Sequence, residues 1–154
     1  MHLADFLDCD AIKTALPGGN KRSLMKQLAD LAGQRLGVDP AAVLASLNER
    51  EQLGSTGFGQ GVAIPHAKID GLVQIYGLFV RLGEPVDYKA IDGRRVDLVF
   101  LLLSPPDAGA EHLKALAAIS RVTRDAATLE RLRGARSRDA LAAVLMGADE
   151  RDAA

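Results

Sequence analysis

From Lys21 to Leu36, apolar residues recur at Leu24, Leu28, Leu31, Ala32 and Leu36, the three-and-four spacing that collects them on one face of a helix. Gly18-Gly19-Asn20 ahead of this stretch and Gly37 behind it are loop and stop signals, so the pattern predicts a helix over 21–36. A second helix is predicted from Asp39, a good N-cap with Pro40 at the first helical position, through Val43, Leu44 and Leu47 to about Gln52. The glycine-rich stretch from Gly54 to Gly61, with Ser55 and Thr56, then reads as a loop able to bend tightly and expose its N–H groups. Val62-Ala63-Ile64 is a short strand ending at the turn Pro65-His66, and Gln74 to Leu82 is rich in strand formers. Val96 to Leu103 shows almost no polar alternation, which predicts a central strand covered on both faces. Ser104-Pro105-Pro106 ends it. Helices are predicted from Asp107 toward Arg124, from Ala126 to Leu132 and from Ser137 to Met146. Helices precede and follow the strands, so the expected fold is α/β: one mixed sheet flanked by helices. The expected organisation is a single domain over 1–154, with a helical part at about 21–52, a sheet at about 62–103 and C-terminal helices at about 107–147.

Composition narrows the function. The 154 residues are 48% hydrophobic, enough for a core without metal or disulfide help. Nineteen Lys and Arg against twenty Asp and Glu leave a net charge of −1, which argues against nucleic acid or an anionic membrane as partner. Aromatics are 4% with no Trp, so base-stacking platforms are not expected. Cys9 has no second cysteine to pair with, a composition expected of a reduced, cytoplasmic protein. The apolar run Leu98 to Leu103 is far too short for a membrane helix, and the acidic N-terminus is no secretory signal.

The chain has three histidines, His2, His66 and His112, with no spacing typical of a zinc site. Gly57-x-Gly59-x-Gly61 precedes a strand rather than joining strand to helix, so a dinucleotide site is not supported and no metal or other cofactor is expected. The stretch from Gly54 to His66 is more informative. Pro65 stiffens the chain before His66, and imidazole is a capable nucleophile near neutral pH. A phosphoryl group on it would call for N–H and hydroxyl donors and a cation. Gly54, Gly57, Gly59 and Gly61 with Ser55 and Thr56 can supply the donors, and Arg50 lies just upstream. Each feature alone is also compatible with an ordinary turn and a structural histidine. Six arginines between Arg121 and Arg138 form a basic strip that reads either as a solvated face or as a docking surface for an acidic partner.

Asn48-Glu49-Arg50-Glu51, then Gly54-Ser55-Thr56-Gly57-x-Gly59-x-Gly61-Val62-Ala63-Ile64-Pro65-His66-x-Lys68, resembles the active-site motif of the fructose/mannitol-type enzyme IIA proteins of the bacterial phosphoenolpyruvate-dependent phosphotransferase system. The resemblance continues at Ala90-Ile91-Asp92-Gly93, Val96 to Phe100 and His112-Leu113, and within the family it is greatest to the nitrogen-type regulatory branch. Gln60, where Asn is familiar, and Ser104-Pro105-Pro106 depart from the family pattern. The resemblance implies a cytoplasmic, cofactor-free phosphocarrier rather than a turnover enzyme. His66 would accept a phosphoryl group from a phosphorylated HPr-like protein, with His112 and Arg50 around the phosphate and the loop from Gly54 to Gly61 beside it. Phe58 and Lys68 are the expected partner contacts, and transporters or sensor kinases the expected regulatory targets. The oligomeric state stays open. So do two alternatives: a sugar-specific IIA that hands its phosphate to a IIB domain, and a regulatory module that binds partners without carrying phosphate.

Overall fold

The computed structural model describes the backbone of residues 1–153 and the side chains of residues 1–150. Its centre is β6 (Val96–Ser104), antiparallel to β5 (Tyr76–Val86) on one side and parallel to β3 (Val62–Ala63) and β4 (His66–Lys68) on the other. β1 (Lys13–Leu16) adds to the far side of β5 in parallel, and β2 (Gly57–Gly59) adds antiparallel to β3. The sheet is therefore single and mixed, as expected, with order β1-β5-β6-β3-β2 and β4 lying beside β6.

Side chains of β6 alternate between two apolar layers. Val99, Leu101 and Leu103 pack with α1 (Lys21–Leu36) and α2 (Pro40–Gln52), through Leu24, Leu28, Val43 and Leu47. Leu98, Phe100 and Leu102 pack against α3 (Gly109–Thr123), α4 (Ala126–Gly134), α5 (Arg138–Ala153) and the N-terminal segment. Both faces of the strand are covered, which is why its sequence does not alternate.

The predicted stop at Gly37 and cap at Asp39 are real, and Asn20, read as a loop signal, proves to be the N-cap of α1. Asn20 Oδ1 accepts from Ser23 N at 2.8 Å, Gly37 ends α1 in the left-handed region, and Asp39 accepts from Ala41 N with Pro40 opening α2. Three strands differ from the pattern. β1 is four residues of half-exposed edge, too short to show a period. β2 turns part of the predicted loop into a hairpin, reversed at Gly59-Gln60-Gly61, where all three residues have positive φ. Pairing with β6 also resumes after Pro65. The register runs unbroken from Ala63↔Val99 to His66↔Leu102, so Pro65 interrupts the strand rather than ending it. Helix α3 starts at Gly109 rather than Asp107, because the Pro105-Pro106 turn continues to Ala108, whose N–H bonds the Pro105 carbonyl.

Candidate active site

His66 opens β4 at the end of the sheet where β6 finishes. Its Nδ1 lies 2.8 Å from the Ile64 carbonyl, which can only accept, so Nδ1 carries the proton. Arg50, in the last turn of α2, donates from Nε to His66 Nε2 at 3.2 Å and from Nη1 to the Gly54 carbonyl at 2.9 Å. The imidazole is thereby held as the Nδ1–H tautomer with its lone pair on Nε2. Burial pushes its pKa below the ordinary histidine range and the Arg50 charge adds to this, against the opposing pull of the Ile64 bond and Glu51.

His112 faces it from the first turns of α3, with ring centroids 5.4 Å apart and planes tilted by 52°. Ser104 Oγ, at the end of β6, lies 2.6 Å from His112 Nδ1. Burial, then the neighbouring His66 and Lys68, lower the His112 pKa to about 4. Both imidazoles are neutral at pH 7. Arg50, His66, Lys68 and His112 line one cleft of about 370 Å³, together with Ser46, Glu49 and Leu53. A larger groove of about 650 Å³ lies between the N-terminal segment and α3, but Asp5, Asp107 and Glu111 make it a poor host for a phosphoryl group.

The structure brings Arg50 of α2, His66 and Lys68 of β4, and His112 of α3 together from three separate stretches of chain. It places the glycine segment differently from a simple cradle. Gly54 contributes its carbonyl to Arg50, and Ser55 Oγ accepts from Gly57 N–H at 3.1 Å. Thr56 is fully buried with its hydroxyl on Glu51. Gly57, Gly59 and Gly61 do not line the His66 cleft: a Cβ on Gly57 would meet Ala90 and Tyr88, Gly59 faces Asp92, and Gly61 faces Arg133 and Asp97. Phe58 is half-exposed on β2, outside the cleft lining. The arginine strip is divided by its own contacts: Arg121 bonds the Met1 carbonyl, Arg133 bonds Asp97 and Gln60, and Arg138 bonds the Asp10 carbonyl.

Pattern reasoning passed over Ser104, Glu49 and the Ile64 carbonyl. Ile64 lies inside the quoted run but acts through its main-chain carbonyl, which its residue type does not signal, and Ser104 matters because of where the end of β6 puts it. Glu49 stands inside the recognised Asn48–Glu51 run, one residue before Arg50, and that adjacency was the available signal.

The family model of the phosphoenolpyruvate-dependent sugar phosphotransferase system, EIIA 2, matches residues 5–147. A nitrogen regulatory protein of Bradyrhizobium diazoefficiens is 46% identical over 145 residues, covering 94% of this chain and 95% of that one. The crystal structure of nitrogen regulatory protein IIA-Ntr from Neisseria meningitidis superposes with a TM-score of 0.87 at 36% identity, covering 93% of this chain and 98% of that one. The mannitol IIA of Escherichia coli shares the fold with a TM-score of 0.75 at 18% identity, covering 90% of this chain and 97% of that one. No helix among the described residues is long and apolar enough to cross a membrane.

Proposed function

The chain belongs to the EIIA 2 family of the phosphoenolpyruvate-dependent sugar phosphotransferase system, and on that premise we propose that it is a nitrogen-type phosphocarrier whose His66 Nε2 accepts a phosphoryl group from a phosphorylated HPr-like protein. The observation that carries this reading is the tautomer lock: Ile64 holds the Nδ1 proton while Arg50 marks Nε2 as the free lone pair. In the transfer, the Nε2 lone pair forms the new N–P bond as the donor's P–N bond breaks, and that electron pair stays on the donor imidazole. The Nδ1 proton remains on His66, where the Ile64 carbonyl stabilises the positive charge that develops. Arg50 exchanges its bond to Nε2 for bonds to the phosphoryl oxygens, so the cation is in place before the charge arrives. His112, with Nδ1 occupied by Ser104, has Nε2 left to donate to the same oxygens.

No nucleotide or metal enters this scheme, since the phosphoryl group comes from a protein. The phosphorylated and unphosphorylated forms then differ by nearly two charges at the cleft, a difference that a target such as a transporter or sensor kinase can read. The likeness to nitrogen regulatory proteins favours this signalling role over delivery to a sugar-specific IIB domain. The test is incubation with phosphoenolpyruvate, enzyme I and the HPr-like carrier. A mass gain of one phosphoryl group is expected, acid-labile and mapped to His66. His66→Ala should abolish it while keeping the fold, because the side chain is only partly buried at the start of a short strand. Undiminished labelling of that variant would overturn the assignment.

A further inference from the structure

Next to Arg50 in the chain, Glu51 turns the opposite way, into the protein, with a side chain only 9% exposed. A buried carboxylate without donors is costly, and this one collects four. Oε2 accepts from Lys21 Nζ at 2.9 Å and from Thr56 N at 3.2 Å. Oε1 contacts the Thr56 hydroxyl and, at 3.0 Å, the Tyr88 hydroxyl, and those two hydroxyls are 2.8 Å from each other. Two hydroxyl protons are thus shared among three oxygens. Lys21 Nζ also sits 4.3 Å from the centre of the Tyr88 ring, closing the cluster from the α1 side.

The cluster joins the start of α1, the end of α2, the turn after it and the segment that follows β5. Its consequence for the cleft runs through the turn. Thr56 is two residues after Gly54, and Gly54 N–H bonds the Glu51 carbonyl at 3.1 Å. The Gly54 carbonyl in turn receives Arg50 Nη1, and the same guanidinium reaches His66 Nε2. Glu51 therefore grips both ends of the Leu53–Thr56 turn, by its main chain at Gly54 and by its side chain at Thr56. We infer that Glu51 is a positioning residue: anchored by Lys21, Thr56 and Tyr88, its carboxylate fixes the turn whose Gly54 carbonyl aims Arg50 at His66 Nε2. It touches neither the phosphoryl group nor the donor.

The inference rests on the phosphocarrier reading for its kinetic arm only. In the unphosphorylated full chain, ¹⁵N NMR of the imidazole nitrogens reports the His66 tautomer and the hydrogen bond to Nε2 without any donor present. Glu51→Gln and Thr56→Val should shift the Nε2 resonance downfield, as expected of an unprotonated imidazole nitrogen that has lost its Arg50 donor while Ile64 still holds the Nδ1 proton, and should slow phosphoryl uptake about tenfold. Thr56→Ser, which keeps the hydroxyl, should restore both. Val43→Ala, a core truncation in the same helix away from the cluster, lowers the melting temperature as a control and should leave the Nε2 resonance in place. Should Glu51→Gln fail to fold, Tyr88→Phe and the Thr56 pair decide. An unchanged Nε2 resonance in Thr56→Val and Tyr88→Phe, or an equal shift in Val43→Ala, would overturn the inference. Absence of phosphoryl uptake by the wild-type chain would instead defeat the phosphocarrier reading, and the NMR comparison would still decide the role of Glu51.

Discussion

Arg50 makes two directed contacts at once, Nε to His66 and Nη1 to Gly54, and only a planar guanidinium can serve both. Arg50→Lys keeps the charge but loses one of the two directions. It should slow phosphoryl uptake by 10- to 100-fold, roughly 1.4–3 kcal/mol of barrier, with Arg50→Ala slower still. Rapid-quench time courses at fixed donor concentration measure this, and a wild-type rate in Arg50→Ala would reduce the residue to a surface cation. His112 divides its labour from His66 in a comparable way. With Nδ1 taken by Ser104, it is placed to donate rather than to attack. His112→Gln should still become phosphorylated at His66, slowly, whereas His112→Ala should be impaired in both acceptance and onward transfer; peptide mapping of the modified residue checks the site. The types of these residues were legible in the chain, because the Asn48–Lys68 run carries the resemblance. Their contacts were not, because tautomer and aim depend on the Ile64 main-chain carbonyl, which any residue there would supply, and on where the end of β6 places the Ser104 hydroxyl.

Among the elements, α1 and α2 were the most readable, since their caps are local chemistry: a short side chain satisfying N–H groups that the helix itself leaves free. Removing one has a calculable effect. Asn20→Ala deletes the acceptor for Ser23 N and should cost about 1 kcal/mol, lowering the melting temperature by about 2–4 °C in a chain of this size. Calorimetry of the two proteins decides it, and an unchanged transition would mean that Asn20 does not contribute as a cap. The short strands were the least readable. β1, β2 and β4 contain three or four residues each, too few for a period to emerge, and each exists because a neighbouring strand offers it unpaired N–H and C=O groups. β4 is the instructive one. Pro65 signals an end, yet β6 continues past it, and the free edge of β6 recaptures the chain at His66 in the same register.

Over the whole molecule, buried titratable groups make stability depend on pH in two stages. His112 has a folded pKa near 4 against an ordinary 6.5, so between those values the unfolded chain binds more protons and stability falls as pH drops from about 6.5 to about 4. His66, lowered in the same direction by its burial, adds to this stage. Glu51 and Asp8 act on the acid side. Burial alone would raise them, but hydrogen bonds from Thr56 and Lys21, and from Arg35 and Tyr76, hold both below the usual carboxylate range, so stability falls further as they are protonated. Urea midpoints should therefore decline from pH 7 to 4.5, and His112→Gln should flatten that first decline; an identical pH dependence in the variant would mean that His112 is not buried neutral. The sequence by itself determined the class of fold and the central strand, and it singled out the histidine proposed as acceptor, since these rest on composition, period and a run of adjacent residues. The tertiary structure alone decided which ring nitrogen is free, that the glycines after Gly54 pack against Tyr88, Ala90, Asp92 and Arg133 rather than line the cleft, and that Glu51 belongs to a buried cluster. Apart from the Ile64 carbonyl, two residues from His66, those outcomes depend on contacts between residues far apart in the chain, Arg50 with His66, Glu51 with Tyr88 and Gly61 with Arg133, set by where β6 brings β4 and by how α2 packs on the sheet, and no local pattern encodes them.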